Sequence, residues 1–121
     1  MINHLAAVFF ILSGLLHIGF FLIESYFFQK SDGYKYFKIP KENHAPTKIW
    51  ALNQGFYNLF LAIGILVGIY LISETLILFC AISMIGAGIV LWFSAPQLRR
   101  GALIQMIPPL MGIIFWFLPR M

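Results

Sequence analysis

The sequence predicts an all-α integral membrane protein, an antiparallel up-down four-helix transmembrane bundle. Three observations lead there. Charged residues are only 10% of the 121 positions and hydrophobic residues 61%, whereas soluble domains carry roughly a quarter charged residues. Four stretches, 5–23, 49–73, 75–98 and 101–119, contain no Asp, Glu, Lys or Arg, and each is long enough to cross a hydrocarbon core about 30 Å thick. The basic residues gather between the first and second stretches and between the third and fourth. Four crossings leave no room for a soluble catalytic domain. Secreted enzymes, cytosolic modules and disordered chains are excluded.

The first span is expected over residues 4–28. The first basic residue, Lys30, follows this apolar run, whereas a cleaved leader carries its positive charge before it, so the span reads as an anchor. Residues 29–46 form a loop, with Gly33, Pro40 and Pro46 interrupting helix. Within it, Tyr34, Lys35, Tyr36, Phe37 and Lys38 mix amphipathic rings with lysines, a composition suited to an interface with anionic headgroups. Thr47 is the expected N-cap of a second span, 47–72. Ser73 should cap a third span, 74–94, with Glu74 favourable in its first turn. Pro96, Arg99 and Arg100 connect it to a fourth span, 100–118. Short connections force neighbouring helices to run antiparallel. No internal repeat relates the two halves. The single cysteine, Cys80, excludes an internal disulfide and reads as a packing residue.

Orientation follows from charge. Lys30, Lys35, Lys38, Lys41, Lys48, Arg99 and Arg100 lie in two connections, against Arg120 alone on the other side. That asymmetry places both basic loops in the cytoplasm and both termini outside. It also accounts for the net charge of +4 without nucleic acid, for which the chain has no groove-reading element.

At 100° per residue each span has a small or polar face. On the first, Ser13, His17 and Glu24 fall within about 40° of arc, with Phe20 beside them. On the second, Asn53 and Tyr57 share one line, continued by Gly64 and Gly68, while Gln54 and Asn58 share the adjacent line. On the third, Ser83, Ala87, Val90 and Ser94 align, flanked by Gly86 and Gly88. On the fourth, Gln105, Pro109, Gly112 and Trp116 align. Counting 1.5 Å per residue from the cytoplasmic ends, Glu24, Asn53, Gln54 and Gln105 lie roughly 5–9 Å deep, and His17, Tyr57 and Asn58 roughly 13–17 Å. Glu24, His17, Asn53, Gln54, Asn58 and Gln105 are therefore expected to converge on one cavity in the cytoplasmic half.

Each of these residues also has a purely structural role open to it. Amides and small residues between membrane helices often only bond or pack across the bundle. A charge in the bilayer interior costs about 3 kcal/mol or more, so Glu24 needs a partner, whether water, a loop lysine or a bundle-facing group. His17 is satisfied structurally if it bonds Asn58 or Tyr57. Its i,i+7 spacing from Glu24 is a poor metal pattern beside compact two-histidine motifs, and no metal is assigned. Pro108 and Pro109 release the carbonyls of Ile104 and Gln105 from their helical partners, which a membrane tolerates where a cavity or another group satisfies them.

The spacing His17-x6-Glu24, the run Asn53-Gln54-Gly55-x-Tyr57-Asn58, the Gly86-x-Gly88 pair and Gln105-x-x-Pro108 resemble a family of small bacterial and fungal membrane proteins catalogued as domain of unknown function 1304. The resemblance covers essentially the whole chain, and the Asn-Gln-Gly-x-Tyr-Asn run is its most specific part. Leu16 stands where the family often has a glutamate, so a role needing that carboxylate is not carried over. The resemblance implies four spans and the plasma membrane, and it supplies no activity.

The expected function is binding or processing of a lipid-soluble small molecule, with Glu24 and His17 as acid/base groups and Asn53, Gln54, Tyr57, Asn58 and Gln105 as ligand-binding groups. No cofactor is assigned. Membrane lipids, the ligand and further copies of the chain are the expected partners. Two alternatives stand beside it: an oligomeric proton-coupled transporter titrating Glu24, and an accessory subunit whose polar layer only sets helix register.

Overall fold

A computed structural model describes residues 1–118, so Arg120, the one basic residue expected on the outer side, lies outside the described residues. The described residues contain four α-helices, α1 (His4–Ser25), α2 (His44–Tyr70), α3 (Glu74–Ser94) and α4 (Arg99–Phe117), with short 3-10 turns in the connections. All four are long and apolar enough to cross a membrane. No strand occurs among the described residues. Each helix packs chiefly on two others, α1 on α2 and α4, and α3 on α2 and α4.

Local chemistry accounts for the ends. Asn3 caps α1, its side-chain oxygen accepting from the Ala6 amide at 2.8 Å while its Nδ2 donates to the Phe115 carbonyl of α4 at 2.6 Å. Ser73 caps α3 by accepting from the Leu76 amide. Thr47 does not cap α2. That helix starts at His44, and the Thr47 hydroxyl, already inside the first turn, donates back to the Asn43 carbonyl. Pro46 is tolerated there because first-turn N–H groups have no intrahelical acceptor to lose. Pro108 and Pro109 lie inside α4 without ending it.

The apolar core is Ala6, Phe10, Ile65, Ile77, Cys80, Ala81 and Met84. It fills the end nearest the α2–α3 turn. There, a Cβ on Gly64 would lie 2.7 Å from the Cys80 sulfur, and one on Gly68 would lie 2.9 Å from the Ile77 side chain, so α3 side chains seat directly on the α2 backbone. Phe10 packs on Gly112 of α4 and against the edge of Trp116. At the opposite end, the helices are joined through an ordered loop. Phe28 is fully buried, its ring edge-on to Phe37 and His44 at 5.0 Å each. His44 Nε2–H donates to the Phe28 carbonyl at 2.6 Å. Gln29 donates to the carbonyls of Glu24 and Lys48 and so ties the end of α1 to α2. Around this plug Lys30 lies over the rings of Tyr26 and Phe27, at 4.8 and 5.1 Å.

Candidate functional site

Glu24 sits near the end of α1, on the line that carries Phe10 and His17. Across from it, Gly55 leaves α2 no side chain, and a Cβ there would collide with the Ser25 hydroxyl. That hydroxyl donates to the Leu52 carbonyl at 3.0 Å. The close approach brings Asn58, 4% exposed, within reach of the carboxylate. Its Nδ2 donates to Glu24 Oε2 at 2.8 Å. The partner Glu24 needs is thus a buried amide on the neighbouring helix, and among the described residues no lysine pairs with it.

His17, 1% exposed, bonds neither Asn58 nor Tyr57. Its Nδ1 lies 2.9 Å from the Ser13 carbonyl one turn earlier in α1, and a carbonyl only accepts, so Nδ1 carries the proton. Phe20 stands edge-on to the ring at 5.4 Å. Nε2 is buried and has no hydrogen-bond partner among the described residues. Gln105, 8% exposed, is buried on α4. No group of three His, Cys, Asp or Glu suited to a metal occurs among the described residues.

The six residues expected to converge do not share one cavity, and Tyr57 lies outside with two of them. Glu24, His17, Asn58 and Gln105 turn inward or lie at a helix interface, whereas Asn53, Gln54 and Tyr57 are exposed. For Tyr57 and Asn53, though not for Gln54 on the Asn58 line, the reason is helical phase. Once Asn58 faces α1, Tyr57 lies about 100° and Asn53 about 140° round the helix from it. Asn53 is partly satisfied within α2, its amide donating to the Ile49 carbonyl at 2.8 Å.

These outward residues nonetheless form a feature. Together with Ile49 and Trp50 they line an open cleft of about 370 Å³. Trp50 and Tyr57 fall within about 40° of the Gly64 and Gly68 positions, the line that α3 seals at the other end. Yet Tyr57 is 62% exposed and Trp50 74%. The α3 helix covers that line only toward the turn, and leaves its lower part open. Sequence reasoning missed Trp50 as a lining residue, although its i,i+7 spacing from Tyr57 was the available signal. It also passed over His44 and Phe28, whose packing a polar loop composition does not announce.

The family model described as Protein of unknown function (DUF1304) matches residues 11–117. That span includes both the Glu24–Asn58 pair and the cleft. No curated protein matches the chain, and no solved structure does.

Proposed function

Because this chain belongs to the Protein of unknown function (DUF1304) family, which brings no activity with it, we propose a function from geometry: the protein is a multi-pass membrane protein that binds the polar head of a lipid-soluble small molecule in the α2 cleft. In this reading, the helices cross the plasma membrane alternately up and down. Two contacts support the opposed direction of α1 and α4. Asn3 meets Phe115 and Phe10 meets Gly112, so positions rise on one helix as they fall on the other. The loops 29–46 and 95–100 face the cytoplasm, supported by their six basic residues and by Lys48 just beyond the first of them.

The observation that carries the proposal is the exposure of Trp50 and Tyr57 on a helix line that is sealed above them. Polar groups facing hydrocarbon are expensive. Tyr57 lies nine residues beyond Lys48, the last charged residue before the span, about 13 Å along the axis. Tyr57 at that depth, and Gln54 about one turn nearer the cytoplasmic end, gain most from a ligand that brings hydroxyl, carbonyl or amine groups. Ile49 and Trp50 offer apolar surface to its body. Behind the cleft, the Glu24–Asn58 bond joins α1 to the helix that bears it, and Glu24 is the acid/base group should the bound molecule be processed.

The experiment is purification of the chain in mild detergent, followed by extraction and mass spectrometry of retained small molecules. A lipid-soluble compound should accompany the wild type. Its yield should fall about thirtyfold in the double variant Gln54→Leu, Tyr57→Phe, the loss of two hydrogen bonds of roughly 1 kcal/mol each. Equal yields from variant and wild type would sink the proposal, and a dimer that persists without any bound compound would assign the cleft to a second copy.

A further inference from the structure

We propose that His17 and Gln105 form a second, deeper site that receives an O–H donor, with His17 Nε2 as its acceptor. The Ser13 carbonyl can only accept, so the 2.9 Å contact places the proton on His17 Nδ1. In the neutral ring Nε2 is then a bare acceptor. This nitrogen is buried, and no described residue donates to it. Buried polar atoms without partners are rare and costly, and an acceptor of this kind is satisfied by O–H or N–H and by nothing apolar.

Register supplies the opposite wall. Phe10 packs on Gly112. With α1 and α4 running oppositely, seven residues from Phe10 reaches His17 and seven residues back from Gly112 reaches Gln105. Both steps advance about 10.5 Å and turn each helix by only about 20° from its starting line. Gln105 thus stands level with His17 on the facing helix, buried, with both a donor and an acceptor on its carboxamide. A hydroxyl between them donates to Nε2 and accepts from the Gln105 amide. Pro108 and Pro109 release the carbonyls of Ile104 and Gln105 at the same level, which adds acceptors for a second proton. An ether, an ester or a hydrocarbon meets only one of these needs or none.

Two sources share this chemistry, a lipid alcohol and an internal water, and only the first rests on the reading of the cleft given above. The test uses the full chain in detergent micelles with 15N-labelled histidine, the His17 signal being assigned by its loss in His17→Leu. A Nε2 resonance moved upfield from that of a bare imidazole acceptor is the expected result. A resonance at the bare-acceptor position overturns the site, even where a compound is still retained through Gln54 and Tyr57. Hexadecanol and its methyl ether then identify the source. A further upfield shift with the alcohol and none with the ether, with apparent affinity about tenfold weaker in Gln105→Leu, shows a lipid alcohol. An upfield resonance indifferent to both probes shows that water supplies the O–H.

Discussion

The Asn58 amide donates a 2.8 Å hydrogen bond to the Glu24 carboxylate across the α1–α2 interface. Of the polar side chains in the bundle, these two form a direct side-chain link between helices. Removing the donor leaves a carboxylate without its partner in a region poor in water, and removing both leaves neither group wanting. Asn58→Leu should therefore destabilise the fold by about 2 kcal/mol, and Glu24→Leu, Asn58→Leu together by less than the sum of the single changes. Reversible unfolding in mixed SDS micelles measures both, with a coupling of about 1 kcal/mol expected. Strict additivity would show that the two side chains do not support each other.

Gly55 sets the distance over which that bond forms. A Cβ there meets the Ser25 hydroxyl and comes within 3.1 Å of Glu24 Cβ. Gly55→Ala should cost about 1–3 kcal/mol by overpacking. Adding Ser25→Ala should recover part of the loss, because it removes the atom struck first. The same unfolding assay distinguishes this steric account from one in which glycine matters only for backbone freedom, since that account expects no recovery.

Ile72 ends α2 in the left-handed region, with φ of 55°. The Ser73 amide reaches back to the Gly68 carbonyl at 2.8 Å, the five-residue span of a Schellman closure. A β-branched side chain is poorly suited to that conformation, and glycine is free of the penalty. Ile72→Gly should stabilise the protein by about 1 kcal/mol, read as a higher unfolding midpoint. An unchanged or lower midpoint would mean that the exposed isoleucine earns its place through contacts outside the chain.

His44 holds the loop plug through its bond to the Phe28 carbonyl and its edge contact with the Phe28 ring. Replacing it by leucine keeps the bulk and removes the donor. His44→Leu should raise the rate of tryptic cleavage at Lys30, Lys35 and Lys38 severalfold, with the helical circular dichroism nearly unchanged. Cleavage at the wild-type rate would show that ring packing alone orders the loop.

Ser31 is exposed in the same loop, and it is a better reporter of orientation than Gly33, where a side chain would strike the Phe28 carbonyl. In intact cells Ser31→Cys should resist a membrane-impermeant maleimide and react once the membrane is opened. Cys80 is buried and should stay silent. Ready labelling from outside would reverse the proposed topology.

Sequence alone determined the all-helical class, four helices with the length and composition of membrane spans, and the Ser73 cap. These depend on neighbours along the chain: hydropathy, charge-free run length, and a hydroxyl placed just before a helix. The sequence also identified the polar groups, since Glu24, His17 and Asn58 stand out wherever charge is scarce. Which of them meet was a tertiary decision. Asn58 and Tyr57 are adjacent on α2, about 100° apart, and periodicity treats their two lines as equivalent. The close approach at Gly55 and the demand of Glu24 for a donor turn Asn58 inward, and that choice sends Tyr57, Asn53 and Trp50 outward. The burial of His44 and Phe28 was likewise invisible, because it joins residues 16 positions apart through a carbonyl and a ring. Helical phase is known from sequence only relative to itself, and packing against a second helix supplies its absolute direction.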